Sequence, residues 1–426
     1  IVIIGAGAAG LEAARELESR GHSPLILEAR DRLGGRIFTH QDRRVPLPID
    51  LGAEFIHGEA PVTTSLLTSA GLSAMEIRSE HAEAHRGILR RTDYWSAVDG
   101  ILKRIRTEGP DESIADFLAR RPGGRGMTRE RALTRRFVEG FHAADPERIS
   151  AQSIATGEES ASDSAARLGR VTQGYGALVE WLARGLTIRR NCQVTTISWK
   201  RGRATITGRL ASGRSVRYDA RVVLITVPVA LLRAVRKGPG AIEIRPMPPR
   251  VRRALQGFEV GPVVRMVVWF RELPWNGTDR PARRNFVHLT EDPFQVLWSA
   301  DPVRWPLAVA WCGGPDASPL SELPRAKALG VLRGQLSRAL GISPRRLERM
   351  IRSIWWHDWN RDPYARGAYT YARVGGGQAS EHLSRPEGGT LFFAGEATDS
   401  KGGTVEAALA SGRRAALQIH RSLRRA

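Results

Sequence analysis

The sequence has little cysteine and, for so basic a protein, little lysine. Among 426 residues only Cys192 and Cys312 are cysteines, and both stand among apolar neighbours, so a disulfide framework is not expected. Lysine occupies only five positions, so 60 of the 65 basic residues are arginine. The net charge is +21, but the arginines are scattered and form no long basic tail. We therefore expect no nucleic-acid partner.

Long hydrophobic runs are also missing. No apolar run reaches the roughly 20 residues that cross a bilayer, so no membrane span is expected. The sequence opens at Ile1 without an initiating methionine and shows no signal peptide. We expect a cytoplasmic protein of bacterial type, and a removed N-terminal signal is left open. The chain length favours two domains, the composition is that of an ordinary globular protein, and no metal site is predicted.

The N-terminus carries the most informative pattern. Residues 1–4 are a β-branched run, as in a buried parallel strand, and the glycine-rich segment 5–10 follows at once. Residues 11–20 have helical spacing of apolar positions, and 24–27 predict a second strand. Glu28 stands at the end of that strand. Strand, glycines, helix, strand and acid in this order predict a dinucleotide-binding βαβ unit.

Each residue of this pattern has a physical role. Gly5 permits the tight turn out of the strand, and Gly7 lets the backbone approach a pyrophosphate. Gly10 allows close packing of helix and strand, while the helix N-terminus offers N–H groups to the phosphates. Glu28, 23 residues after Gly5, is placed to accept hydrogen bonds from a ribose diol. The pattern by itself does not separate NAD from FAD.

The residues after Glu28 make that distinction. They place Arg30 and the run Gly34-Gly35-Arg36 just after the ribose carboxylate, in the stretch LEARDRLGGR. This stretch resembles the signature of the flavin amine oxidase superfamily, which includes monoamine, polyamine and L-amino-acid oxidases and histone lysine demethylases. The resemblance implies an FAD cofactor, with Gly34, Gly35 and Arg36 along its pyrophosphate and flavin.

The resemblance extends over nearly the whole chain. DLGAEFIHG (50–58), with Gly52, Ala53 and Glu54, is similar to the family's segment beside the flavin. HDWNRDPYARGAYTY (357–371), with Trp359 and Ala368, is similar to its flavin-face segment. Further similar segments are QGYGALVEWLA (173–183), VTTISW (194–199) and ARVVLITVP (220–228). The resemblance implies that the backbone near Val194 meets the adenine.

The C-terminal segment 391–416 resembles the family's second FAD signature. Residues 391–394 predict a buried strand, followed by Gly395 and Glu396, whose carboxylate can accept hydrogen bonds from the ribityl hydroxyls. Gly403, Thr404 and Val405 then open an alanine-rich helix. Its N-terminus would face the flavin pyrimidine oxygen, where negative charge grows on reduction.

These patterns predict an α/β protein in which a Rossmann-like FAD-binding domain is interleaved with a mixed helix–sheet substrate domain. Segments 1–60, 172–240 and 388–426 are assigned to the FAD-binding domain. Segments 61–171 and 241–387 are assigned to the substrate domain. Segment 61–171 is predicted to be mostly helical and charged, whereas segment 241–387 contains strand-like runs.

Four positions at the expected reaction site follow from the resemblance. Tyr369 corresponds to one wall of the family's aromatic cage and Thr404 to the other, and His57 corresponds to a polar active-site residue of polyamine oxidases. Arg265 stands where the family usually has a lysine that holds a water at flavin N5. A core role for Tyr369 or His57 is left open, and Arg265 requires a partner, either the flavin or a carboxylate from the second domain. Ala368 replaces the cysteine that binds flavin covalently in monoamine oxidases, so FAD is expected to be non-covalent.

The expected function is FAD-dependent amine oxidation. A hydride equivalent passes from the amine α-carbon to flavin N5, the imine hydrolyses to aldehyde, and O2 gives H2O2. An L-amino-acid oxidase and a dehydrogenase or desaturase of the same fold are alternatives, and an FAD-holding protein that binds a partner or nucleic acid is the non-enzyme alternative. The sequence does not identify the amine, and a homodimer is left open. Glu158, Glu159 and Asp163 are candidate anchors for a cationic substrate.

Overall fold

The computed structural model describes residues 1–157, 167–233, 238–275, 285–291 and 293–424. The strands in chain order are β1 (Val2–Ile4), β2 (Leu25–Leu27), β3 (Thr39–His40), β4 (Ile49–Asp50), β5 (Phe55–His57), β6 (Ala74–Ile77), β7 (His81–His85), β8 (Ile88–Arg91), β9 (Leu168–Val171), β10 (Thr187–Arg189), β11 (Cys192–Lys200), β12 (Arg203–Leu210), β13 (Ser215–Ala220), β14 (Val223–Ile225), β15 (Glu243–Arg245), β16 (Phe258–Val260), β17 (Val263–Phe270), β18 (Phe286–Leu289), β19 (Val296–Ser299), β20 (Leu307–Gly313), β21 (Ile351–Asp358), β22 (Thr370–Ala372) and β23 (Leu391–Phe393). The helices are α1 (Ala8–Glu18), α2 (Pro61–Ala70), α3 (Tyr94–Leu102), α4 (Ile114–Ala119), α5 (Thr128–Gly140), α6 (Ala151–Gly157), α7 (Tyr175–Ala183), α8 (Val229–Leu232), α9 (Pro249–Gln256), α10 (Ala317–Glu322), α11 (Arg325–Leu340), α12 (Pro344–Met350), α13 (Ala379–Ser384) and α14 (Val405–Arg424).

A five-stranded parallel sheet of order β10-β2-β1-β14-β23 carries the N-terminal motif. Its strands are short and almost wholly apolar, which is the composition of a parallel sheet covered on both faces. Helices α1 and α14 pack together on one face, and Gly412 permits this contact because a Cβ there would lie 2.5 Å from the Ala9 carbonyl oxygen. The predicted α/β class is confirmed.

The predicted elements of the N-terminal motif are present, with one shifted boundary. The strands expected over 1–4 and 24–27 are β1 and β2, and the strand expected over 391–394 is β23. The first helix begins at Ala8 rather than residue 11, because the last residues of the glycine-rich segment already take up helical geometry. The glycine turn therefore lies at Gly5 to Gly7, directly at the helix N-terminus.

A mixed seven-stranded sheet of order β21-β17-β20-β19-β18-β7-β8 forms the second large layer. It includes two strands, β7 and β8, from segment 61–171, so the expectation that this segment is mostly helical was wrong in part. The two strands lie at one end of the sheet and carry polar and charged side chains. Because their apolar residues alternate only weakly, the sequence pattern did not predict them. Strands β6 and β9 of the same segment form a separate three-stranded sheet with β5, in which β9 is central and pairs with both others.

The two largest sheets draw on different sets of segments, while the domain division itself stays a prediction. Every strand of the parallel sheet comes from 1–60, 172–240 or 388–426, although these segments are far apart in sequence. Strands from 61–171 and 241–387 build the seven-stranded sheet. Among the described residues, no helix has both the length and the apolar composition needed to cross a bilayer.

Candidate active site

A single large cavity of about 1610 Å³ runs from the glycine turn into the seven-stranded sheet. Gly7 and Glu28 line one end, Arg36 and Glu396 its middle, and Tyr369 the part beyond. Ligand cavities that hold one small molecule are usually about 300–1000 Å³. This cavity therefore has room for a dinucleotide and a small substrate held end to end.

The glycine turn has the geometry that a pyrophosphate requires. Gly5 has a φ of +104°, and a Cβ on Gly10 would lie 2.1 Å from the Gly5 carbonyl oxygen, so turn and packing both require glycine. A Cβ on Gly7 would meet only the Gly34 carbonyl oxygen, 3.9 Å away. The backbone at Gly7 is thus open to the cavity at the start of α1, where unpaired N–H groups favour an anion.

Glu28 is buried at the same end and holds the turn together. Its Oε2 accepts a hydrogen bond from the Ala6 N–H at 2.8 Å, and its Oε1 accepts one from the Arg30 N–H at 2.9 Å. The Arg30 guanidinium does not pair with Glu28; its Nη2 lies 2.5 Å from Asp362 Oδ1, with which it forms an ion pair. Burial opposes ionisation of Asp362, but hydrogen bonds from His357 and Arg30 hold its pKa below the usual range. Glu28 has remaining lone pairs for a ribose, as the dinucleotide hypothesis requires.

Arg36 and Glu396 form a bridge across the middle of the cavity. The Arg36 Nη1 donates to Glu396 Oε1 at 2.7 Å and to the Ala368 carbonyl oxygen at 2.9 Å. The other Glu396 oxygen accepts from the Thr370 hydroxyl at 2.6 Å and from the Gly403 N–H at 3.2 Å. One buried carboxylate therefore ties together the second glycine pair, the flavin-face segment and the start of α14.

The glycines around this bridge leave no space for side chains. A Cβ on Gly34 would lie 2.7 Å from the Ile37 carbonyl oxygen, and one on Gly52 would lie 2.0 Å from the Arg36 carbonyl oxygen. Gly35 and Gly395, like Gly34, take positive φ angles. The backbone thus approaches itself closely along the wall on which the resemblance places FAD.

The other predicted cofactor residues lie on the same cavity. Val194 is buried beside a bulge in β11 and lines the cavity, and the Cys192 N–H donates to the Glu28 carbonyl oxygen at 2.8 Å. Trp359 is buried and donates its indole N–H to the Leu51 carbonyl oxygen at 2.9 Å. Ala53 also lines the cavity. The structure thus brings these segments to one wall.

Thr404 and Val405 begin α14 at the cavity. The Thr404 hydroxyl accepts a hydrogen bond from the Ala407 N–H at 3.0 Å, so Thr404 is the N-cap of the helix. Glu406, which the sequence analysis missed, accepts bonds from the backbone of Val62 and Thr63 and so caps the start of α2. The beginning of α14 is therefore fixed from both sides.

Tyr369 and His57 are brought together by Phe141, a residue not singled out from the sequence. The Tyr369 hydroxyl donates to the Phe141 carbonyl oxygen, and burial raises the pKa of Tyr369 above its usual range. The Tyr369 ring lies beside Gly403, where a Cβ would be 3.6 Å from Cδ2. The His57 ring meets the Phe141 ring edge-on, with centroids 5.6 Å apart. Tyr369 thus lies beside the start of α14, and the roles of Tyr369 and Thr404 as walls of a cage stay predictions.

Arg265 is buried in a charge cluster. Its guanidinium forms an ion pair with Glu54 and donates to the Gly52 carbonyl oxygen at 3.1 Å. Glu54 also pairs with Arg170 at 2.6 Å and accepts from the Trp298 indole N–H at 3.0 Å. The partner of Arg265 is therefore a carboxylate, but it comes from segment 50–58 and not from the second domain as expected.

The same cluster shifts the ionisation of two carboxyl groups. Burial opposes ionisation of Glu54, yet Arg170 and Arg265 hold its pKa below the usual range. Burial and the nearby Glu54 charge raise the pKa of Asp50 to about 7, although the Thr39 hydroxyl donates to it at 2.5 Å. The cluster thus keeps one carboxylate firmly charged beside the cavity wall.

The end of the cavity beyond Phe141 is lined by rings that the sequence analysis did not select. They are Phe55, His81, Tyr94, Trp95, Phe137, Phe286, His288, Trp298 and Trp311. Their positions on separate elements gave no pattern along the chain. The three acidic candidates Glu158, Glu159 and Asp163 lie outside the described residues.

Known proteins are similar to this chain along most of its length. Residues 8–420 match the family described as flavin-containing amine oxidoreductase. Polyamine oxidase 3 of Oryza sativa subsp. japonica is 27% identical, over 97% of this chain and 88% of that protein. Lysine-specific histone demethylase 1 homolog 3 of Arabidopsis thaliana is 26% identical over 98% of this chain, which spans only 30% of that longer relative.

Solved structures show the same fold. Putrescine oxidase bound to putrescine superimposes with a TM-score of 0.79 at 21% identity, over 98% of each chain. Cyclohexylamine oxidase from Brevibacterium oxydans IH-35A superimposes with a TM-score of 0.80 at 21% identity, over 99% of each chain.

Proposed function

This chain belongs to the family of flavin-containing amine oxidoreductases, and on that basis we propose that it oxidises a primary or secondary amine to an imine with O2 as electron acceptor. As a member it is an FAD-dependent oxidoreductase that acts on amines. The imine then hydrolyses to an aldehyde and ammonia or a smaller amine, and O2 is reduced to H2O2.

The observation that carries this proposal is the continuity of the cavity. The same space touches Gly7 and Glu28 at the dinucleotide end and Tyr369 and Phe141 at the other end. A cofactor seated on the glycine turn would extend past Arg36 toward Tyr369, which leaves the ring-lined end for the substrate. Bound FAD would supply the hydride acceptor, a chemistry that none of the lining side chains provides.

The protein's own residues hold and orient the reactants. The rings around the far end exclude water, and they keep an amine in its neutral, reactive form more easily than a polar wall would. The bridge from Arg36 to Glu396 fixes the walls on either side. Tyr369, hydrogen-bonded to Phe141, is held as a rigid aromatic surface beside the start of α14. These contacts act by position, so no residue is required as a nucleophile.

We further propose that FAD is held without a covalent bond. Ala368 offers no thiol at the position where monoamine oxidases bind flavin, and its backbone is engaged with Arg36 and Gly261. Precipitation with acid should release intact FAD into the supernatant. Flavin that stays with the precipitated protein would refute this part of the proposal.

The decisive experiment is anaerobic mixing of the yellow protein with a panel of amines and L-amino acids. Rapid bleaching by an amine, followed by stoichiometric H2O2 on admission of air, is the expected result. Bleaching only by L-amino acids would instead indicate an L-amino-acid oxidase, and bleaching without H2O2 would indicate a dehydrogenase. No bleaching by any member would refute amine oxidation.

A further inference from the structure

Two histidines face each other at the far end of the cavity. His81 begins β7 opposite Phe286 of the parallel strand β18, and His288 lies two residues further along β18, on the same face of the sheet. The His81 Nδ1 lies 2.8 Å from the His288 Nε2. Both residues line the cavity, and neither is used in the oxidation proposed above.

The neighbours of this pair fix where its protons lie. The Trp95 indole N–H can only donate, and it lies 2.9 Å from the His81 Nε2, so that nitrogen is an acceptor. The His81 proton is therefore on Nδ1 and is donated to the His288 Nε2. The His288 proton is then on its own Nδ1, and within the described ranges this nitrogen meets no acceptor. The pair thus presents an N–H donor for which the described part of the chain supplies no acceptor.

The pair is uncharged. Burial lowers the pKa of His81 to about 4, against a weaker opposing effect of Asp93. Burial, together with His81 and Arg136, holds the pKa of His288 well below its usual range. Burial penalises the charged form of each imidazole, and the hydrogen bond between the two rings needs no positive charge.

The charges around the pair disfavour a cation. Arg136 lines the cavity near His288 and donates to the carbonyl oxygens of Leu289 and Glu291. Glu83 on β7 forms an ion pair with Arg129, and Asp93 accepts the Ser96 N–H at the start of α3. Among the described residues, neither of these carboxylates lines the cavity. Neither Glu83 nor Asp93 is therefore placed, among the described residues, to hold a second ammonium of the substrate.

Aromatic contacts connect this end with the proposed reaction site. Phe141, which binds the Tyr369 hydroxyl, lies 6.1 Å from the Trp95 ring centre, and Trp95 lies 5.5 Å from His81. On the opposite side Phe286 stacks on His81 at 5.0 Å. A ring-bearing or alkyl substrate could follow this apolar path from Tyr369 and reach the pair with its far end.

Resting on the proposed function, we propose that the His81–His288 pair is a specificity site that binds an uncharged oxygen acceptor, such as an ether, hydroxyl or carbonyl oxygen, at the end of the substrate remote from the amine. A hydrocarbon end would leave the His288 N–H without a hydrogen-bond acceptor. An ammonium end would also fail to accept this hydrogen bond, because an ammonium can only donate.

The test uses arylalkylamines from benzylamine to phenylpropylamine, each with a para substituent of hydrogen, methoxy, aminomethyl or carboxylate. Flavin reduction by stopped flow and kcat/KM from H2O2 are measured for each. For the chain length that fits, the methoxy compound should exceed the unsubstituted one about tenfold, the effect of one satisfied buried hydrogen bond. The aminomethyl compound should be the poorest member.

Variants of the pair supply the second arm. His288→Phe should lower the methoxy-to-hydrogen ratio of kcat/KM about tenfold, chiefly through KM, and His288→Gln, which keeps an N–H donor, should retain part of it. His85→Ala is the matched control, because His85 lies on the same strand but is exposed, bonds to Thr290 and lies outside the cavity. Its ratio should equal that of the wild type.

The outcomes separate the two proposals. Bleaching by these amines with no preference for methoxy, or with preference for the aminomethyl or carboxylate end, overturns the specificity site and leaves amine oxidation intact. If His288→Phe lowers kcat/KM equally for every amine in the series, the specificity site is likewise overturned and amine oxidation is left intact. The wild-type ratio decides the question even if the variants fail to fold. If no amine in this series or the wider panel bleaches the flavin, the proposed function is refuted and the specificity site with it.

Discussion

Replacing Arg265 with methionine would remove one of two guanidinium partners from the buried Glu54 and keep the apolar stem. Breaking a buried ion pair from one side costs about 3–5 kcal/mol, because the other charge stays behind. Arg170 remains 2.6 Å from Glu54 and the Trp298 N–H remains at 3.0 Å, so the lower end applies. We expect a loss of about 3 kcal/mol in the free energy of unfolding.

A double-mutant cycle with Glu54→Gln isolates the pair. Denaturant unfolding is measured on the FAD-free protein, because bound FAD would add a stabilisation that depends on each variant's affinity for the cofactor. The double variant should be more stable than the sum of the single changes implies by at least about 1 kcal/mol, since neither buried charge is then left alone. Arg44→Met is the matched control: Arg44 pairs with Asp42 at the surface and is 61% exposed, so its loss should leave the free energy of unfolding nearly unchanged.

The rate at which O2 reoxidises the reduced flavin distinguishes a structural role of Arg265 from a role at the flavin. The charge of Arg265 is neutralised by Glu54, and two of its nitrogens are engaged with Glu54 and Gly52. Arg265→Met should therefore reoxidise within a few-fold of the wild type, and Arg265→Lys should recover only part of the stability, because an ammonium lacks the guanidinium fork. Additive single effects, together with a reoxidation rate lowered more than about tenfold and restored by lysine, would refute the ion-pair account and place Arg265 at the flavin.

Three further predictions follow from single side chains. Glu28→Ala should weaken FAD binding by about 1–3 kcal/mol in titrations of the apoprotein, because Glu28 holds the glycine turn and is placed for the ribose. Glu28→Gln should have an intermediate effect, and Glu18→Ala, at an exposed position, should leave FAD affinity unchanged. Tyr369→Phe should change anaerobic reduction little, whereas Tyr369→Ala should lower it far more than it lowers FAD content; equal losses would indicate a core tyrosine. The folded-state pKa of Asp50, about 7, lies above its ordinary value of 3.8, so its contribution to stability is full below pH 3.8 and is lost as pH rises to 7. At pH values above 7, Asp50→Asn should therefore raise the free energy of unfolding by about 1–3 kcal/mol, and near pH 4 it should have little effect. A gain of the same size at both pH values would contradict the assignment.

The dinucleotide end of the site could be predicted in detail because its determinants are local. Gly5, Gly7, Gly10 and Glu28 lie within one βαβ unit, where a turn, a helix start and a strand end follow directly from backbone sterics. The boundary of α1 was the one error in this unit. The strands of segment 61–171 were harder to predict, because β7 and β8 are short, rich in polar side chains and show little apolar alternation.

Long-range contacts decided the rest. The sequence by itself determined the cofactor end, the α/β class and the absence of a thiol at Ala368. Only the tertiary structure paired Arg265 with Glu54, 211 residues away, and His81 with His288, 207 residues away. The choice between a flavin and a carboxylate as the partner of Arg265, and the protons of two histidines, depend on which side chains meet across sheets. Which side chains come into contact across sheets depends on how whole layers pack. The residues involved follow no regular spacing along the chain, so the sequence pattern does not identify them.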